Sequence, residues 1–78
     1  MQKGEIILLH LILFEMKFIL EKVGFSEYFK AYDSFGVLPS QIHRKRAEHL
    51  KAIRLLCTGI LRAFNINPDG ALKVGVLR

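Results

Sequence analysis

The chain has 78 residues, of which 51% are hydrophobic, and its 12 Lys and Arg against 7 Asp and Glu give a net charge of +5. This length indicates a single domain with a marginal core, which small proteins usually reinforce with disulfides, a metal ion or a second subunit. The lone cysteine, Cys57, excludes an intrachain disulfide and fits a reducing compartment, so we expect a metal or a second subunit.

The first predicted helix contains the most hydrophobic stretch of the chain, Ile6 to Leu20. His10, Glu15 and Lys17 interrupt this stretch, which is shorter than the roughly 20 apolar residues that a bilayer requires. The small-residue cleavage pattern of a signal peptide does not follow it. We therefore expect a helix of a water-soluble protein, with no membrane partner.

The apolar side chains of this helix fall into two arcs when residues are placed about 100° apart. Two thin polar stripes separate the arcs, and a helix that is apolar on two sides needs cover on both. We therefore expect a dimer or a larger helical bundle, formed through the narrow arc, or through the broad arc if the third helix covers the narrow one. The narrow arc contains Ile7, Leu11, Phe14 and Phe18. The broad arc contains Ile6, Leu8, Leu9, Ile12, Leu13, Met16, Ile19, Leu20 and Val23. One polar stripe contains Lys3, His10, Lys17 and Glu21, and the other contains Glu15 and Lys22.

Glycines and helix-capping residues predict two further helices. Gly24 should end the first helix, Ser26 should cap a short second one, and Gly36 should end that. The aromatic residues of the short helix recur at helical spacing, which favours core packing over base stacking. A long third helix should begin near Ser40 and end in the turn after Phe64. Its core stripe contains Leu50, Ile53, Leu56, Cys57, Ile60, Leu61 and Phe64.

These elements predict an all-α fold, a small three-helix domain in the order long, short, long. The domain should span residues 1–66, with residues 67–78 as a loose C-terminal tail. Residues 72–76 of that tail alternate like a strand but have no evident pairing partner. No Ser–His–carboxylate pattern, glycine-rich phosphate loop or acid–base carboxylate pair is recognisable, so we do not expect an enzyme.

Four stretches of the chain resemble an uncharacterised archaeal family of short helical proteins. They are Glu5 to His10, Tyr32 to Pro39, and Ile42-His43 together with Glu48 to Ile53. The resemblance implies an archaeal, cytoplasmic, helical protein and, because some members carry the label "metal-binding", a metal site. The recurring histidines of the family fall on His10, His43 and His49, and its acidic positions on Glu15 and Glu48. Arg44-Lys45 stands where the family often has a serine-lysine pair.

A divalent transition metal, zinc first, is the cofactor that His10, His43, His49 and Glu48 would suit, because their donors are nitrogen and oxygen. His43 and His49 are six residues apart, about 120° around a helix and about 9 Å along it, so they cannot chelate one ion from a straight helix. His10 or a second chain would have to complete the site. The alternative is that the histidines are structural, at the edges of the core.

The basic residues near the start of the third helix suggest an alternative function, binding of nucleic acid or another polyanion. Cations in the first turns oppose the helix dipole, and such a conflict can mark a binding site for an anion. A solvated, partly paired charge run is the alternative interpretation. The candidate residues are Arg44, Lys45, Arg46, Lys51 and Arg54.

Overall fold

A computed structural model describes residues 1–65 and shows an all-helical protein. Helix α1 spans Lys3–Lys22, a 3₁₀ turn spans Ser26–Phe29 and continues into α2 at Lys30–Phe35, and α3 spans Arg46–Asn65. The predicted order of a long, a short and a long helix is confirmed. The predicted tail, residues 67–78, lies outside the described residues. Within residues 1–65, no helix combines the length and the hydropathy needed to cross a membrane.

Short-range capping contacts set the ends of these helices. The Gln2 N–H donates to the Glu5 carboxylate over 2.8 Å, which satisfies a backbone donor at the start of α1. After α1, Gly24 takes a positive φ of 101°, and Gly36 ends α2 with a φ of 76° in the left-handed region. Both glycines therefore end helices as predicted. The predicted cap at Ser26 is wrong, because Phe25 precedes the 3₁₀ turn without a side-chain cap.

The third helix begins at Arg46, six residues later than the predicted start near Ser40. Turns occupy the preceding segment, where the Gln41 side-chain oxygen accepts from the Leu38 N–H over 3.0 Å. Glu48 then accepts a hydrogen bond from the Lys45 N–H over 2.9 Å, as the third residue of a capping box does. This carboxylate thus starts the helix at Arg46.

Helices α1 and α3 begin at the same end of the molecule, where the Arg46 guanidinium donates to the Met1 carbonyl. The chain returns between them through the 3₁₀ turn, α2 and the segment that follows. At the other end the turn lies against Gly59, where an added Cβ would stand 2.7 Å from the Phe29 ring and from the Tyr28 carbonyl. A larger residue at Gly59 would push the turn away. The core between the elements contains Phe29, Tyr32, Val37, Ala52, Leu56 and Ile60.

The face of α1 that packs on the rest of the protein differs from either predicted arc. Its buried residues are Ile6, His10 and Lys17, so one of the two polar stripes points inward. Leu13, Phe14 and Leu20 flank this stripe and pack partly against the core. Both arcs therefore contribute only their inner edges, and their outer edges face solvent.

Candidate functional site

Two histidines and a tyrosine form a buried hydrogen-bonded chain that joins all three helices. The Nδ1 atoms of His10 and His49 are 2.8 Å apart, and both residues have no exposed surface. His10 Nε2 lies 2.8 Å from the Tyr32 hydroxyl, and His49 Nε2 lies 3.0 Å from the carbonyl oxygen of Gln41. Every ring nitrogen of the two histidines thus has a partner.

The partners determine where the protons lie when both imidazoles are neutral. A carbonyl oxygen only accepts, so His49 Nε2–H donates to Gln41, and the Nδ1 atom of neutral His49 accepts from His10 Nδ1–H. His10 Nε2 then accepts from the Tyr32 hydroxyl. All three hydrogen bonds point the same way, from Tyr32 through the imidazoles to the Gln41 carbonyl, and no buried side-chain polar atom within residues 1–65 lacks a partner.

Burial keeps the side chains of His10 and Tyr32 neutral. Removal from water and, to a smaller extent, the neighbouring His49 together lower the pKa of His10 from 6.5 to about 4. Burial, followed by the charge of Asp33, raises the pKa of the Tyr32 hydroxyl above its ordinary range. At neutral pH the tyrosine therefore keeps its proton and His10 carries no charge.

The structure brings together two of the four predicted metal ligands. The Nδ1 atoms of His10 and His49 converge, and their Nε2 atoms are held by other groups, an arrangement usual for metal-bound histidine. His43 is exposed on the segment before α3, and Glu48 is engaged by the Lys45 N–H and, at 3.4 Å, by Arg44. Within residues 1–65, no three His, Cys, Asp or Glu side chains cluster closely enough to hold an ion. Residues 1–65 thus bring together two of the four ligands that a four-coordinate metal site requires.

Lys17 is a buried charge that the sequence analysis did not single out. Its amino group lies 2.9 Å from Glu21 and 3.3 Å from Asp33. The rings of Phe14 and Phe29 are within 6 Å of it, at the range of cation–π contacts. Its position seven residues after His10, on the same stripe of α1, was the signal that could have identified it.

The predicted self-association residues divide between the inside and the outside of the molecule. Ile7 and Phe14 are half-buried, whereas Leu11 and Phe18 are exposed. We define the outer face of α1 as the solvent side of the helix, where residues from both arcs meet. Its apolar members, each more than a third exposed, are Leu8, Leu11, Ile12, Met16, Phe18, Ile19 and Val23.

The predicted anion-binding residues do not all project freely. Arg44 pairs with Glu48, Arg46 donates to the Met1 carbonyl, and the Lys51 amino group lies over the Phe35 ring at 4.9 Å. Lys45 and Arg54 are exposed. Polyanion binding stays a prediction, to be checked by a mobility-shift assay at low salt with the triple change of Arg44, Lys45 and Arg46 to Ala.

Comparison with known proteins assigns the chain to a family. The model of the uncharacterised protein family UPF0058 matches residues 1–74. The chain belongs to this family. A UPF0058 protein of Archaeoglobus fulgidus is 52% identical over 65 residues, which cover 82% of this chain and 70% of that relative. A UPF0058 protein of Methanocaldococcus jannaschii is 38% identical over 69 residues, covering 86% of this chain and 67% of the relative.

Membership of UPF0058 confirms the resemblance to an uncharacterised archaeal family. The names of both relatives state the family and no ligand, activity or partner. No solved structure matches this chain significantly.

Proposed function

We propose that this helical protein self-associates, and that the outer face of α1 packs against a second copy of the chain. The observation that carries the proposal is that α1 buries His10 and Lys17 while seven large apolar side chains on its outer face stay exposed. Soluble monomers rarely expose so many large apolar side chains on one helix face.

A second copy is supported by the size of the molecule and by the shape of the surface. A chain this short buries too small a fraction of its surface for a robust monomer, and covering apolar area contributes about 25 cal/mol per Å². From Leu8 to the C-cap residue Val23, the face extends about 22 Å along α1. The same surface on two chains can pair about a twofold axis, which is the commonest arrangement of homodimers.

Light scattering coupled to size exclusion tests the proposal on the full chain. We expect a dimer at micromolar concentration, and a monomer after Ile19→Lys. Leu61→Lys on α3 is the matched control, because Leu61 is 63% exposed and Ile19 is 61% exposed, so either change is tolerated in a monomer. A well-folded wild-type monomer would overturn the proposal, and so would equal dissociation by both variants.

Zinc binding is a second candidate function, supported by the convergence of His10 and His49 on each other at 2.8 Å. An ion held by both Nδ1 atoms would replace the hydrogen bond between the rings and keep their outer partners. The remaining ligands would come from His43, Glu48 or a second chain. Elemental analysis of untagged protein tests this: we expect bound zinc in the wild type and none in His49→Ala. Metal-free protein whose melting temperature ignores added zinc would leave the histidines structural.

A further inference from the structure

The outer face of α1 carries one acidic and one basic side chain along its middle. Glu15 and Lys22 are seven residues apart, which places them about 10 Å apart along the axis and nearly in line. Both are exposed, and none of the ion pairs among residues 1–65 includes either. The Lys22 amino group lies 4.6 Å from the centroid of the Phe18 ring, so the charge rests on the apolar surface itself.

We infer that two copies pair with their α1 helices antiparallel, each Glu15 against Lys22 of the partner subunit. The inference rests on the proposed self-association and adds its direction and register. In a parallel symmetric pair, each charge would meet its own counterpart, carboxylate on carboxylate and ammonium on ammonium. An antiparallel pair instead joins opposite charges twice, and like charges across an interface strongly disfavour the wrong arrangement.

The register follows from which residues oppose each other. When residue 15 faces residue 22, the twofold axis passes between Phe18 and Ile19, and these two side chains of each copy form an apolar centre with an ion pair on either side. An axis at the middle of the face, between Glu15 and Met16, would bring the two Glu15 carboxylates together. The charges therefore shift the pair toward the C-terminal half of α1.

Charge-reversal variants of the full chain test the pairing. We expect Glu15→Lys and Lys22→Glu each to raise the dimer dissociation constant about tenfold at low salt, and the double variant to return it close to the wild-type value. Sedimentation velocity measures the constant. Glu27→Lys is the matched control for the first change, because Glu27 is exposed on the 3₁₀ turn and does not belong to the outer face of α1; it should leave the constant unchanged.

Disulfide trapping reads the register directly in a Cys57→Ala background. We expect Ile19→Cys to form a disulfide-linked dimer, because residue 19 lies beside the twofold axis. Leu8→Cys should not, because two copies of residue 8 would be about 30 Å apart along the helices, far beyond the reach of a disulfide. Equal trapping at both positions would indicate a parallel pair.

The results of these experiments distinguish the antiparallel register from self-association itself. A monomeric wild type overturns both. A wild-type dimer that dissociates with Ile19→Lys, but whose charge-reversed double variant stays as weak as the single variants, overturns the antiparallel register and leaves self-association standing.

Discussion

The two sides of α1 differ from those of an ordinary amphipathic helix, because the inner side buries polar groups beside apolar ones and the outer side exposes large apolar groups. Its inner side buries a histidine and a lysine, each satisfied by specific partners, while its outer side exposes aliphatic and aromatic residues. Stability within one chain should therefore depend on polar contacts of the inner side. Assembly should depend on apolar contacts of the outer side. Substitutions that act on one side and not on the other can test this division.

The largest expected effect comes from truncating the inner side at its most connected residue. His10→Ala should lower the free energy of unfolding by about 3–4 kcal/mol, because it leaves a cavity and removes the partner of both Tyr32 and His49. Urea denaturation at two protein concentrations measures it. Ile12→Ala, at a position 50% exposed, should lower the free energy of unfolding little at low protein concentration and more at high protein concentration. Equal, concentration-independent losses would contradict the division.

The second-largest effect should come from acid, which should lower the free energy of unfolding through His10 on the inner side. Between pH 6.5 and about 4 the unfolded chain protonates His10 while the folded chain does not, so the unfolded state binds more protons. The stability that neutral His10 contributes is thus fully present above pH 6.5. As the pH falls toward 4, the free energy of unfolding should decrease by roughly 3 kcal/mol. Unfolding measured across this range checks it. His10→Gln should flatten the dependence, whereas His43→Gln, at an exposed position, should preserve it.

A smaller effect is expected where the 3₁₀ turn closes on α3. Replacing glycine by alanine inside a helix usually stabilises a protein by up to about 1 kcal/mol. Gly59→Ala should instead destabilise by about 1–2 kcal/mol, because its Cβ would overlap the Tyr28 carbonyl and the Phe29 ring at 2.7 Å. Thermal unfolding measures the sign. A higher melting temperature would show that the turn yields without cost.

The smallest expected effect is at Lys17, although its side chain is buried. Lys17→Met keeps the aliphatic contacts with the surrounding rings and removes the charge. Its partners Glu21 and Asp33 retain side-chain exposures of 25% and 54%, so water can solvate their carboxylates. We expect a change in unfolding free energy within about 1 kcal/mol. A loss of several kcal/mol in urea denaturation would show that the ion pairs hold α1 to α2.

The sequence by itself determined the helical class, the order of the helices and two of their ends. Gly24 and Gly36 could be read as stops because each adopts a positive φ that other residues adopt at a cost. The start of α3 could not be read so directly. Both Ser40 and the Lys45–Glu48 pair offer capping groups, and the turns of residues 38–44 decide between them.

Only the tertiary structure decided which side of α1 faces inward. Helical periodicity groups residues onto faces, but with two apolar arcs it ranks neither face for burial. The polar stripe is buried because Tyr32, His49 and Asp33 arrive from other elements to satisfy His10 and Lys17, and a buried polar group is tolerated only when it is paired. Those partners are 16 to 39 residues away along the chain. No local pattern could reveal them, because contacts at such separations exist only once the helices have packed.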